Sequence, residues 1–254
     1  MSIFQVVGRR LARYLSRPRD NTAQVATCTP ENLAAAIQPG DVLLVEGSSG
    51  FSNAIKYLTQ SSWSHATLYI GNRLDPPSAK AQARVLVEAD VNEGVRAVPL
   101  NKYVSQHTRI CRPIGLAPKE IKHVIEYTIS RLGHRYDLKN IIDLVRYLIQ
   151  TPPVPTHLRR RLLALGSGDP TRAICSSLIA QAFQSVQYPI LPHVISETSQ
   201  KTACAKTHPD MLRIRHHTLF TPRDFDVSPY FSIIKPTIEH GFDPYALSWA
   251  SARN

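Results

Sequence analysis

The sequence lacks several features that would place it in a well-marked class of protein. It contains no run of eighteen apolar residues, so no membrane-spanning helix is predicted. Its cysteines (Cys28, Cys111, Cys175 and Cys204) lie far apart and form no CxxC pair, which argues against a zinc ribbon and against a dense disulfide framework. His208, His216 and His217 lack a partner at ligand spacing, so no metal site and no other cofactor is predicted.

Acidic residues are also scarce, with 19 Asp and Glu against 30 Lys and Arg, a net charge of +11. This excess suits nucleic acid, an anionic membrane surface or an acidic substrate. Aromatic residues make up only 7% of the chain and few alternate with basic ones, and no DNA- or RNA-binding motif is present. Nucleic acid is therefore the least favoured partner.

The first twenty residues have an apolar start followed by arginines, the reverse of the order in a secretory signal. Phe4, Val7, Leu11 and Leu15 can share one helical face with arginines around it. This pattern fits an interfacial helix on anionic lipid, and it fits equally well an amphipathic helix docked on its own domain. Because the cysteine usage favours a reducing compartment, a cytoplasmic location is expected, with peripheral association at the inner membrane as an option.

Hydrophobic periodicity and turn residues divide the rest of the chain into short strands and a few helices. A polar linker is predicted at 18–32, a turn at 221–226 and an excursion from the core at about 138–170, which contains a proline-rich turn and a basic-apolar segment. Strands are predicted at 42–46, 63–70, 84–89, 94–99, 107–114, within 209–217 and at 230–234, and helices at 52–59, 119–132, 138–149 and 171–186.

Cys175 falls in the first turn of the last predicted helix. Helix N-terminal N–H groups and the positive end of the helix dipole favour a thiolate there, because they lower the pKa of a cysteine from its free value of about 8.5. Cys175 is therefore a candidate nucleophile. The alternative is that it is a small buried hydrophobic residue, as free cysteines often are.

Two residues on predicted strands could assist such a nucleophile. Alternation along 63–70 places His65 on one face with Trp63, Thr67 and Tyr69, where it is either a general base or a structural histidine. Glu88 lies inside an apolar strand, which is costly for a carboxylate unless it is paired. A hydrogen bond from His65 would supply the partner, whereas burial of Glu88 against some other cation would argue against a hydrolase. The alternative is that Glu88 lies on an exposed edge of the strand.

Several motifs taken in order resemble the permuted papain-like amidases of the NlpC/P60 superfamily, in particular the YiiX/YebB-like group. They are Gln38-Pro39-Gly40-Asp41-Val42-Leu43-Leu44, Trp63-Ser64-His65-Ala66-Thr67-Leu68-Tyr69-Ile70-Gly71, the strand with Glu88, Tyr136-Asp137, and Ile174-Cys175-Ser176-Ser177-Leu178-Ile179. The resemblance covers roughly residues 38–235. It implies that Cys175 is the nucleophile, His65 the base and Glu88 the orienting residue. It also implies that Tyr136 and Ser176 lie near the acyl oxygen.

The resemblance implies an α+β, circularly permuted papain-like fold, in which a small antiparallel sheet or half-barrel packs on the helix that carries Cys175. The expected organisation is an N-terminal helix and linker at 1–32, a catalytic domain at 33–236 with the helical excursion inside it, and a tail at 237–254. The implied activity is a cysteine-dependent amidase or peptidase acting through an acyl-enzyme on a small peptide, amide or lipid-like substrate. Two alternatives stay open: a lipid-directed acyltransferase or phospholipase like lecithin:retinol acyltransferase, and a catalytically idle binding protein.

Overall fold

A computed structural model describes residues 26, 28–75, 83–90, 93–134, 174–195, 211–213, 215–239, 241 and 243–246. The predicted N-terminal helix, the helix at 138–149, Tyr136 and the basic-apolar excursion lie outside these residues. Among the helices within them, none has the length and apolar character needed to cross a bilayer.

The architecture is α+β and is built on an antiparallel sheet of six strands. This confirms the predicted fold class. The strands are β1 (Val42–Val45), β2 (His65–Tyr69), β3 (Arg84–Asp90), β4 (Gly94–Pro99), β5 (Thr108–Pro113) and β8 (Phe231–Ile234). They lie in the order β4-β3-β2-β1-β5-β8. A separate antiparallel pair joins β6 (His193–Ile195) to β7 (Met211–Arg213).

The described helices are α1 (Pro30–Ala36), α2 (Gly50–Thr59), α3 (Pro118–Ser130), α4 (Ile174–Gln184), α5 (Pro222–Asp226) and α6 (Pro236–Glu239). Helix α4 packs on β2 and β3 and against α3. Three short 3-10 turns complete the set, at Leu100–Lys102, His217–Leu219 and Pro244–Ala246.

Two of these helices correct the sequence interpretation. Helix α1 begins inside the segment predicted as a linker, and α5 occupies the segment predicted as a turn. Both begin with a threonine followed by proline. Thr29 caps α1 by accepting the backbone N–H of Asn32 at 3.2 Å, and Thr221 caps α5 together with Asp224. An N-cap threonine with proline at the first helical position is a recognised start signal, which was available in the sequence.

The sheet separates two hydrophobic clusters, one on each of its faces. Ala66 and Leu68 face α4 and pack in one cluster with Phe183, while Leu43 and Leu86 belong to a second cluster on the opposite side of the sheet. Trp63 packs with Ala66 and Leu68, not on the side of His65 as alternation predicted. The reason is that β2 begins only at His65, so the two-residue period does not extend back to Trp63.

The register of the sheet brings His65 and Glu88 to one place. Strand β2 pairs with β3 through Leu68 opposite Val87 and Tyr69 opposite Leu86. Continuing this antiparallel register sets Thr67 opposite Glu88, and His65 lies on the same face, one diagonal position away. Diagonal neighbours are within reach of long side chains, so the strand pairing itself brings imidazole and carboxylate together.

The turn before β1 is held by a buried ion pair. Asp41 is 1% exposed, and its carboxylate accepts the backbone N–H of Gln38 at 2.8 Å. Arg112 from β5 donates to both carboxylate oxygens, from Nε to Oδ1 at 2.9 Å and from Nη2 to Oδ2 at 2.8 Å. Burial raises the pKa of the Asp41 carboxyl, although Arg112 works against that rise. Thus the Gln38-Pro39-Gly40-Asp41 motif anchors the start of β1 and does not reach the cleft described below.

Candidate active site

Cys175 is the second residue of α4, in its first turn, and is 5% exposed. Burial alone would raise the pKa of its thiol, but the charge of His65 and a hydrogen bond from it lower that pKa below its ordinary value. Backbone N–H groups of Ala66 and Ser176 also donate to the sulfur and add to the lowering. The predicted helix-terminal environment is therefore present, and an imidazolium from the neighbouring strand strengthens it.

His65, the first residue of β2, lies between Cys175 and Glu88. Its Nε2 is 3.1 Å from Oε2 of Glu88, and its ring also hydrogen-bonds the Cys175 sulfur. Because Nε2 is turned to the carboxylate, Nδ1 is the nitrogen that remains for the sulfur. Burial works to lower the pKa of His65, yet the negative charges of Cys175 and Glu88 raise it to about 10.

Glu88 has a side chain with no exposed surface, and its two oxygens have different partners. Oε2 faces His65 and accepts the hydroxyl of Tyr103. Oε1 accepts Arg96 Nε at 2.8 Å and Lys102 Nζ. The pKa of Glu88 is lowered despite its burial, because His65 and Lys102 favour the ionised form.

These contacts bring together the three predicted residues and correct one expectation about them. Glu88 does pair with His65, but it is also buried against Arg96 and Lys102, so the pair with His65 is not exclusive. The two oxygens of the carboxylate have separate partners: both cations contact Oε1, and Oε2 keeps its contact with the imidazole.

Sequence reasoning missed Tyr103, Lys102 and Arg96. Arg96 could have been found, because β3 and β4 form a hairpin in which Glu88 lies directly opposite Arg96, an opposite-charge cross-strand pair. Lys102 and Tyr103 lie in and just after a 3-10 turn between strands, where no hydrophobic period marks a side chain as inward-facing.

A cleft of about 340 Å³ opens over these groups. Cys175, His65, Lys102 and Tyr103 line it together with the loop before α2. This loop contributes Gly47, Ser48 and Ser49, and Ser52 follows in the first turn of α2. A Cβ at Gly47 would lie 2.3 Å from Ser52 Oγ and 2.9 Å from Ser64 Oγ, so any other residue there would have to displace these hydroxyls. The thiol thus lies in a recess large enough for a small polar or amphipathic group.

The resemblance implies that Ser176 and Tyr136 lie near the acyl oxygen. Ser176 is fully buried and its hydroxyl donates to the carbonyl of Phe220 at 2.7 Å, while its backbone N–H faces the Cys175 sulfur. Ser176 can therefore act on a bound group through its main chain. Tyr136 lies outside the described residues. Within those residues, no group of three His, Cys, Asp or Glu side chains could hold a metal ion.

Comparison with known proteins gives a family match. Residues 36–147 match the family described as permuted papain-like amidase enzymes of the YaeF/YiiX, C92 type, which confirms the predicted resemblance to the YiiX-like group. The matched range contains His65 and Glu88 and ends before Cys175. Among solved structures, the chain is similar to the metalloprotein yiiX of Escherichia coli O157:H7 at 14% identity and a TM-score of 0.44, covering 78% of this chain and 97% of that one. No curated protein gives a significant match.

Proposed function

Since residues 36–147 carry the sequence pattern of permuted papain-like amidases of the YaeF/YiiX type, we propose that this protein is a cysteine-dependent hydrolase that cleaves an amide or ester bond through an acyl-enzyme on Cys175. One observation carries the proposal: sulfur, imidazole and carboxylate are in contact in series at the floor of a cleft. In this proposal His65 is the general base and acid, and Glu88 orients it.

The reaction begins with a thiolate and an imidazolium. The Cys175 sulfur attacks the substrate carbonyl carbon, forming a C–S bond and moving an electron pair to the carbonyl oxygen. Backbone N–H groups at the start of α4, including that of Ser176, are the donors available to this oxyanion. A well-placed donor of this kind is worth about 3 to 4 kcal/mol.

Collapse of the intermediate breaks the C–N or C–O bond, and the imidazolium gives its proton to the leaving amine or alcohol. His65, now neutral, takes a proton from water as the water oxygen attacks the thioester. The C–S bond then breaks, which releases a carboxylic acid and restores the thiolate and imidazolium. The carboxylate of Glu88 holds Nε2–H throughout, so that Nδ1 stays directed to the reacting groups.

Alkylation of the intact protein by iodoacetamide across pH tests this proposal against a catalytically idle binding protein. We expect the rate for Cys175 to reach its plateau at a lower pH than that of an ordinary cysteine, whose free pKa is about 8.5, because only the thiolate reacts and the pKa of Cys175 is lowered. The rate should fall as the pH drops through that pKa and the sulfur takes up a proton.

Two other cysteines provide an internal control, since burial raises the pKa of the thiols of Cys28 and Cys111. Peptide mapping by mass spectrometry assigns each rate to its residue. A single ionisation of Cys175 at or above about pH 8.5 would contradict an activated nucleophile and favour the binding protein.

A lipid-directed acyltransferase or phospholipase uses the same acyl-enzyme chemistry on a lipid substrate, so association with a membrane bears on the substrate class. We propose that the basic segment at 1–19 attaches the hydrolase to an anionic membrane surface. Co-sedimentation with phosphatidylserine-containing vesicles, at low salt, should fall at least about tenfold when this segment is deleted, because a basic residue near such a surface contributes about 1 kcal/mol. Equal binding of the two chains would defeat the proposal for this segment.

A further inference from the structure

Glu88 can orient His65 only if its own carboxylate is fixed, and the two carboxylate oxygens are fixed to different degrees. Oε1 is held twice, by Arg96 Nε at 2.8 Å and by Lys102 Nζ. Oε2, the oxygen that meets His65, has one further donor among the described residues, the hydroxyl of Tyr103. Loss of one cation leaves Oε1 a second anchor, whereas loss of the Tyr103 hydroxyl leaves Oε2 with the imidazole alone.

The Tyr103 side chain is well placed to act as an anchor. It is 5% exposed, packs in the second hydrophobic cluster with Leu43 and Leu86, and its ring centroid lies 5.9 Å from that of His65. The backbone N–H of Tyr103 donates to Leu100 O at 3.1 Å, which closes the 3-10 turn and fixes where the ring enters the core. The hydroxyl therefore reaches Glu88 from a rigid support.

The protonation state of Tyr103 makes the direction of this hydrogen bond unambiguous. Burial and the adjacent Glu88 charge both raise the pKa of the phenol well above its ordinary value. The hydroxyl stays protonated and the carboxylate stays ionised, so Tyr103 donates and Oε2 accepts. The charged or titratable groups that face this pair are His65 from β2, Arg96 from β4, Lys102 from the 3-10 turn and Cys175 from α4.

We propose that Tyr103 is a positioning residue of the hydrolase: its hydroxyl locks the Glu88 carboxylate in the orientation in which Oε2 holds Nε2 of His65. Tyr103 acts through Glu88 and not on the substrate, although its ring also forms part of the cleft wall. Arg96 and Lys102 neutralise the buried charge, and Tyr103 sets its direction. This inference rests on the proposed hydrolase function.

The test compares Tyr103→Phe with the unchanged protein by iodoacetamide alkylation of Cys175 and by hydrolysis of p-nitrophenyl acetate. We expect kcat to fall about 10- to 100-fold with KM little changed, as for other residues that orient a reacting group from behind. The acid inflection of the alkylation profile should move up by about half to one pH unit. A shift of this size corresponds to the free energy of one hydrogen bond, the one that the variant loses. The imidazolium is then less well supported and lowers the pKa of Cys175 less.

Tyr188→Phe is the matched control, since the Tyr188 hydroxyl also makes hydrogen bonds, to the carbonyls of Ile114 and Tyr230, but lies away from the cleft. It should reduce stability without moving the inflection. In a Glu88→Gln background, Tyr103→Phe should have no further effect on the inflection, because the group through which it acts is gone. An unchanged profile and kcat in Tyr103→Phe, or a full additional effect in the Glu88→Gln background, would overturn the proposal.

If Tyr103→Phe does not fold, Lys102→Met decides the matter, because the Lys102 side chain is 33% exposed and Arg96 still holds Oε1. The proposal predicts that Lys102→Met lowers kcat, because Lys102 lines the cleft and neutralises Glu88, but lowers it by less than Glu88→Gln does, since the Tyr103 hydroxyl still holds Oε2. A fall to the level of Glu88→Gln would assign the anchoring to Lys102 and reject Tyr103. Failure of the hydrolase proposal itself looks different, since Cys175 of the unchanged protein would then show no lowered inflection at all.

Discussion

Cys175→Ala should abolish turnover. We expect kcat for p-nitrophenyl acetate to fall at least about 10⁴-fold, because the variant has no atom that can form the thioester and retains only binding and the backbone donors. The loss should be in kcat with substrate binding preserved, since alanine leaves the cleft open. A burst of p-nitrophenolate equal to the enzyme concentration, present in the unchanged protein, should also be absent from the variant.

Cys28→Ala is the matched control for this substitution. Cys28 is also a free cysteine, but it is part-exposed, lies at the edge of the second hydrophobic cluster and does not line the cleft. Its removal should leave kcat within about twofold, as expected for a substitution far from the reacting groups. Comparable activity in Cys175→Ala and the unchanged protein, with both folded by circular dichroism, would rule out the acyl-enzyme mechanism.

His65→Asn should have the second largest effect, and its size should depend on the leaving group. Asparagine keeps a hydrogen-bond donor toward Glu88 but cannot carry the proton or the positive charge. Thiolate formation is then disfavoured, because the charge of His65 is the largest of the effects that offset the burial of Cys175. For p-nitrophenyl acetate we expect kcat/KM to fall about 10²- to 10³-fold at neutral pH, within the range of general acid–base effects.

An acyl-matched amide, such as p-nitroacetanilide, should lose considerably more, by at least a further factor of about 10. A nitrophenolate leaves as a stable anion, whereas an amine must receive a proton to leave. The pH profile carries the same information: in the unchanged protein the amide activity should decline as the pH rises through the pKa of His65, about 10, because the imidazolium that protonates the amine is lost. Equal losses for ester and amide would contradict the assignment of His65 as the proton donor.

Much of the sheet could be predicted from the sequence, because its strands show their character locally. Strand β3 contains the apolar run Val85–Val87 directly before Glu88, and strand β4 agrees with its prediction at both ends, Gly94 and Pro99. The periodicity that predicts α4 also places Cys175 in its first turn, as found. The contact between His65 and Glu88 then follows from strand pairing, and a carboxylate next to an apolar run was the signal that the sequence offered for it.

The rest depends on tertiary contacts that local patterns do not encode. Tyr103 reaches Glu88 from a connection between strands, and nothing in its neighbours distinguishes it from a surface tyrosine. Trp63 lies just before β2, so the alternation that correctly places His65 fails for it. The short helices α1 and α5 bury too few residues to show a period, and only their Thr-Pro starts indicate them.

The His65 imidazolium and the Ala66 N–H, which lower the pKa of the thiol, belong to β2, and the sulfur itself belongs to a helix more than a hundred residues later in the chain. Before α4 docks, Cys175 has neither the imidazolium nor the Ala66 N–H, and its ionisation is that of an ordinary cysteine. Reactivity is therefore a property of the finished tertiary structure. A nascent or unfolded chain carries a dormant sulfur, which limits damage by oxidants and electrophiles until the molecule is complete.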